Sequence, residues 1–260
     1  MSSKSMLPVE DAHAAEMLQA LLSGVRQVMG DNLAGMYVRG SLALGDFHPG
    51  SSDIDFLVAT RSPVSGKTLA DLEDFHDRLA KMSNPYAEEL EGAYIDLAEL
   101  RSYQAGRRFP TLSRGEALKL AAHGSNWVLE RWTVREHGII LTGPEPKTLI
   151  APISKEQIRS AVTDRLRDWL DWCDQPEDPA WRKPLNHLAY VVETMCRALY
   201  TLACGEVCSK PRAVEWALGA LPEPWHTLVE QSRGWRADNR TTPDDATIAE
   251  VRRFLAWVAR

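Results

Sequence analysis

Several absences narrow the field before any motif is considered. No apolar run in the 260-residue sequence reaches the roughly 18 residues needed to span a bilayer. The N-terminus also lacks a basic stretch followed by an apolar one, the pattern of a secretory signal. No membrane partner is therefore expected, and the cytoplasm is the expected compartment. A basic excess is missing too, since 30 Lys and Arg face 36 Asp and Glu for a formal charge of −6. Proteins that grip a nucleic-acid backbone usually present a basic face, so nucleic acid is not an expected partner and a small cationic one fits better. Cysteine is scarce and one-sided: Cys173, Cys196, Cys204 and Cys208 form no Cys-x-x-Cys pair and have no histidine at zinc-finger spacing. Reduced, partly buried thiols are expected, with Cys204 and Cys208 sharing one face of a helix.

What is present has the proportions of a globular enzyme, 44% apolar and 25% charged, in a chain long enough for two modest domains. Residues 9–29 carry Ala15, Leu18, Leu21, Leu22, Val25 and Met29 at spacings of three and four, which predicts an amphipathic helix. Leu33 to Val38 reads as a buried strand ending at Arg39-Gly40-Ser41, where a new helical turn can open. Asp46 to Ser52 is turn chemistry around Pro49-Gly50, and a second strand is expected over 53–59. A helix over 68–82, a strand over 89–97, a polar connecting stretch from Gly106 to Gly115, a helix over 126–137 and a strand over 139–142 complete a mixed first half. From Ser154 onward the periodicity is helical throughout, over 157–173, 184–204, 212–221, 225–233 and 246–259. The expected class is α+β: a short mixed sheet flanked by helices over 1–150, then an all-α bundle over 151–260, with the Pro-rich stretch from Pro144 to Pro152 between them.

Residues i and i+2 of a strand project from one face, so Asp53 and Asp55 aim two carboxylates into one small volume while Ile54 points into the core. Two like charges so close raise each other's pKa, and a hard divalent cation such as Mg²⁺ removes the conflict. Gly40 and Ser41 just upstream permit close approach and add a hydroxyl donor at a helix start, where free backbone N–H groups favour phosphate oxygens. Chemistry on a phosphate held in this way needs a third carboxylate. Glu91 at the head of the next strand is preferred; Asp96, five residues on, faces the opposite side of an unbroken strand.

The segment from Gly40-Ser41 to Asp53-x-Asp55 resembles the signature of the nucleotidyltransferase superfamily. Further pieces are similar to the bacterial streptomycin/spectinomycin adenylyltransferases: Leu90-Glu91, Arg135-Glu136-His137 followed by Leu141-Thr-Gly-Pro144, and Arg197-x-x-Tyr200 with Gly205, Lys210, Trp216-Ala217 and Leu221-Pro222. The resemblance implies transfer of AMP from ATP to a hydroxyl of an aminoglycoside-type antibiotic, with release of pyrophosphate. It implies two Mg²⁺ ions held by Asp53, Asp55 and Glu91, with Glu91 as the base, and a nucleotide site of Gly40, Ser41, Arg197 and Lys210. It further implies that Trp172 and Asp178 meet the acceptor. His187 departs from the family pattern, in which an acidic residue can precede the arginine by ten positions, and it belongs with the acceptor-contacting set. The same chemistry on another small-molecule or macromolecular acceptor, and a noncatalytic nucleotide-binding module, are the competing expectations.

Overall fold

The computed structural model describes residues 9–260, in two compact units that divide between Pro152 and Ile153. The first is a six-stranded mixed sheet with helices. In chain order it contains α1 (Ala12–Met29), β1 (Leu33–Val38), α2 (Gly40–Ala43), β2 (Ile54–Thr60), α3 (Gly66–Leu79), β3 (Leu90–Asp96), α4 (Leu97–Leu100), β4 (Arg108–Leu112), β5 (Lys119–Ala122), α5 (Asn126–His137), β6 (Ile139–Thr142) and α6 (Pro146–Leu149). Spatial order across the sheet is β5-β4-β3-β2-β1-β6. Among the described residues only β2 and β3 run parallel, joined through α3 as a parallel pair requires.

Alternation divides the central strand between two faces. Ile54, Phe56 and Val58 join Leu18, Leu21 and Leu22 of α1 and Leu72 and Phe75 of α3 in one hydrophobic core, each such side chain contributing about 1.5–3 kcal/mol when fully buried. Asp53, Asp55 and Leu57 therefore belong to the opposite face. The inward stripe of α1 is rotated by one residue at its start, with Ala14 buried and Ala15 only partly so. Asp11 caps that helix by accepting from the Ala14 N–H at 2.8 Å, satisfying a first-turn donor.

One strand, β4, lies inside the polar stretch expected between Gly106 and Gly115, and a second, β5, follows it where no element was expected. β4 carries Pro110 and pairs with β5, whose residues are largely exposed. An edge strand of this kind has no buried face to impose alternation, and Pro110 argues against a strand until its position near the sheet edge is known.

The second unit is helical: α7 (Lys155–Cys173), α8 (Leu185–Cys204), α9 (Lys210–Ala220), α10 (His226–Trp235) and α11 (Asp245–Ala259). A capping box starts α7, with Ser154 Oγ accepting from Gln157 N and Gln157 Oε1 accepting from Ser154 N. Helix α8 packs against α7, α9, α10 and α11 and buries Leu188, Val191, Val192, Met195 and Cys196. Glu193, also buried, receives two hydrogen bonds from Arg236 at 2.9 and 2.7 Å. Gly205 ends α8 in the left-handed region at φ +70°. Cys204 and Cys208 consequently fall on either side of a helix stop and do not share a helical face. All four cysteines are unbridged.

Candidate active site

Register brings the site together before any side-chain chemistry is invoked. Val38 pairs with Phe56 across β1 and β2, and one step further Arg39 N–H donates to the Asp55 carbonyl at 2.9 Å. Asp55 in turn pairs with Glu91 across the parallel β2–β3 ladder. Arg39, Asp55 and Glu91 thus stand in one row over three adjacent strands, on the sheet face away from α1 and α3. Asp53, one pleat earlier, joins them: Asp53, Asp55 and Glu91 each offer a carboxylate oxygen, all within 4.8 Å of one another. Asp96 is elsewhere, capping α4 by accepting from Glu99 N.

The sequence pattern did not disclose Arg39 or Glu130. The Arg39 side chain is 3% exposed, with Nη1 2.9 Å from Asp55 Oδ1 and 2.6 Å from Glu130 Oε2, and Nη2 3.4 Å from Glu91 Oε1. Its guanidinium also lies 5.6 Å from the centroid of Trp127 on α5. The available signal was a basic residue at the end of a buried strand, which demands a buried counter-charge. Nothing in the spacing pointed to Glu130, which lies on α5.

Charge in this pocket is strongly coupled. Burial, opposed by Arg39 and reinforced by Asp53, Glu130 and Glu91, pushes the Asp55 carboxyl up to about 8. Burial likewise raises Glu91, with Arg39 opposing and Glu130 and Asp53 adding to the rise. Burial works against the Arg39 charge, but the surrounding carboxylates outweigh it and hold the guanidinium protonated. Carboxylates raised in this manner are the environment that a bound cation relieves.

Gly40 lies at φ +63°, and a Cβ built there would fall 1.8 Å from Asp55 Oδ2. Only glycine accommodates both the backbone and the carboxylate. Ser41 Oγ is buried without a hydrogen-bond partner in the protein. Helix α2 is a single turn, too short for the aligned peptide dipoles expected of a phosphate-binding helix start. The hydroxyl and the backbone at Gly40-Ser41 remain as donors. All-oxygen ligands, the space kept open by Gly40 and the orphaned hydroxyl together fit Mg²⁺ and phosphate oxygens.

In the helical unit, Trp172 stacks on Trp181 with ring centroids 3.7 Å apart and lies 6.2 Å from His187. Asp178 accepts from Ala180 N at 2.8 Å in the turn that carries Trp181. Burial, with Lys183 adding and Asp178 opposing, lowers the His187 pKa. Trp172, Asp178 and His187 are therefore neighbours. Arg197 sits half-buried on α8. Lys210 is the first residue of α9 rather than part of a loop, with Nζ 4.3 Å from the Tyr190 ring centroid.

The family model described as nucleotidyltransferase domain matches residues 21–102. The one described as aminoglycoside adenylyltransferase, C-terminal domain, matches residues 148–260. A spectinomycin 9-adenylyltransferase from Staphylococcus aureus is 24% identical over 228 residues, covering 82% of either chain. An aminoglycoside (3'')(9) adenylyltransferase from Shigella flexneri is 24% identical over 235 residues, 85% of either chain. Among solved structures, a spectinomycin adenyltransferase from Enterococcus faecialis, crystallised with ATP and spectinomycin, superposes with a TM-score of 0.72 at 16% identity, over 93% of this chain and 98% of the other.

Proposed function

The chain belongs to the aminoglycoside adenylyltransferase family and is a nucleotidyltransferase, and from that premise we propose that it moves AMP from ATP to a hydroxyl of a streptomycin- or spectinomycin-like antibiotic in a Mg²⁺-dependent reaction. The observation that carries the proposal is the convergence of Asp53, Asp55 and Glu91 within 4.8 Å.

Asp53 and Asp55 hold the divalent ions, two in the full reading, with Glu91 as the third ligand. Bound Mg²⁺ supplies charge neutralisation for the α-phosphate and for the pyrophosphate that departs. Ser41 Oγ and the backbone around Gly40 donate to the phosphate oxygens. Glu91 accepts the proton of the attacking hydroxyl as general base. The oxygen then attacks the α-phosphorus while the bond to the pyrophosphate oxygen breaks. The family resemblance assigns Arg197 and Lys210 to the nucleotide phosphates, a role in which fixed positive charge offsets the negative charge that grows on a leaving group. Trp172 and Asp178 contact the acceptor, an indole face and a carboxylate suited to a cationic sugar or guanidinium. His187 stands in the same contact set and bears on which drug is accepted.

Incubation of the purified protein with α-labelled ATP, Mg²⁺ and a panel of aminoglycoside, aminocyclitol and lincosamide acceptors tests this. Label is expected on streptomycin or spectinomycin, and Asp53→Asn is expected to lower transfer on the order of a thousandfold, because a bound metal contributes several kcal/mol of transition-state stabilisation. Label appearing only on unrelated acceptors would remove the proposed substrate, and undiminished transfer by Asp53→Asn would remove the metal mechanism.

A further inference from the structure

Four carboxylates crowd the site, yet three suffice as ligands, and the fourth has its own cation. Arg39 Nη1 is closer to Glu130 (2.6 Å) than to Asp55 (2.9 Å), and Nη2 reaches Glu91 only at 3.4 Å. A buried guanidinium placed on Asp55 and Glu91 with no further partner would neutralise one charge of the cation-binding set and compete directly with a divalent ion. Glu130 prevents this by balancing Arg39, so that Asp53, Asp55 and Glu91 keep their combined charge of three. Arg39 at the same time reaches one oxygen of Asp55 and one of Glu91, whose backbones the β2–β3 ladder holds side by side. Trp127 flanks the guanidinium, and the remaining nitrogen, Nε, is buried without a partner. The guanidinium is therefore buried while the Glu130 carboxylate keeps 26% of its side chain exposed, and the two charges act on the ligands at short range.

We infer that Arg39 and Glu130 form a charge-balanced pair beside the cation ligands, in which Glu130 sets how tightly a divalent cation binds by cancelling the charge of Arg39. This rests on the reading of Asp53, Asp55 and Glu91 as cation ligands. Neither residue touches the reacting atoms; both act through the ligands.

Mn²⁺ binding, followed by loss of the free-ion EPR signal, tests the inference apart from turnover, with far-UV circular dichroism and thermal melting to verify folding. Glu130→Gln leaves the Arg39 charge unbalanced and is expected to weaken Mn²⁺ binding by about tenfold or more, since a unit charge a few ångströms from a dication is worth that even at the dielectric of water. The double variant Arg39→Met/Glu130→Leu removes both charges and is expected to recover binding to within about threefold of wild type, the cancellation that a balanced pair requires. A merely structural pair would instead leave the double variant as weak as Glu130→Gln or weaker. Unchanged binding by Glu130→Gln, or failure of the double variant to recover, overturns the inference while leaving the cation site standing. Absence of Mn²⁺ binding by the wild-type protein itself removes both.

Discussion

At the scale of single residues, the site depends on a missing side chain as much as on those present. A Cβ on Gly40 would overlap the Asp55 carboxylate, and the positive φ of Gly40 is a conformation in which L-residues are strained. Gly40→Ala is expected to lower stability by about 1–2 kcal/mol through the left-handed backbone, and to displace the Asp55 carboxylate. AMP transfer should fall far more than that loss of stability accounts for. Denaturant melts beside kcat measurements test the split, and a variant with wild-type turnover would show that Asp55 does not depend on this clearance. The convergence of Asp53, Asp55 and Glu91 was legible in the sequence because the first two stand at i and i+2 by one strand and Glu91 near the head of the next. Arg39 and Glu130 were not, because their meaning lies in a contact between residues 91 positions apart in the chain, and no local pattern encodes which buried base meets which acid.

At the scale of elements, legibility followed burial. β1 and α5 occupy the ranges that their periodicity predicts, since each has an apolar face that must be hidden; β6, without a fully buried residue, was marked instead by its apolar run and the Gly143-Pro144 that closes it. β5 was invisible because its residues are largely exposed at the sheet edge, whereas β4, buried from Phe109 to Leu112, was hidden by Pro110, which argues against a strand. The same logic bears on α8, whose buried Glu193 interrupts an otherwise apolar stripe and is held by Arg236, the residue that ends α10. Arg236→Met strands a carboxylate that is 3% exposed and is expected to cost about 3 kcal/mol, at the lower end for one broken buried pair. Glu193→Leu/Arg236→Met should recover most of that loss, because an apolar replacement leaves no uncompensated charge. Urea titrations of the two variants test this, and a single variant as stable as wild type would show that the pair contributes nothing to α8–α10 packing.

At the scale of the whole molecule, buried histidines link folding to acidity. Burial lowers the His76 pKa to about 4, against about 6.5 in an unfolded chain, and its Nε2 lies 2.7 Å from Tyr94 Oη. Between those two values the unfolded state takes up a proton that the folded state refuses. Stability is therefore expected to fall as pH drops from 6.5 to 4, by about 3 kcal/mol from this residue. His123, lowered to about 3 by burial with Arg131 and Arg39 adding, acts in the same direction. His76→Gln keeps a hydrogen-bonding group near Tyr94 but has nothing to titrate, so its melting temperature should decline less steeply over that interval. Parallel slopes for the two proteins would rule out His76 as a contributor.

The parallel pairing of Asp55 with Glu91 has a consequence for how such a chain diversifies. A ladder of backbone hydrogen bonds, rather than the intervening chain, sets the distance between these carboxylates. Insertions or deletions in the turns on either side of α3 leave that spacing intact as long as the strand register is kept. Lineages can therefore lengthen, shorten or recolour those turns with the chemistry held constant, whereas a one-residue slip within β3 would carry Glu91 to the opposite face and silence the enzyme at once.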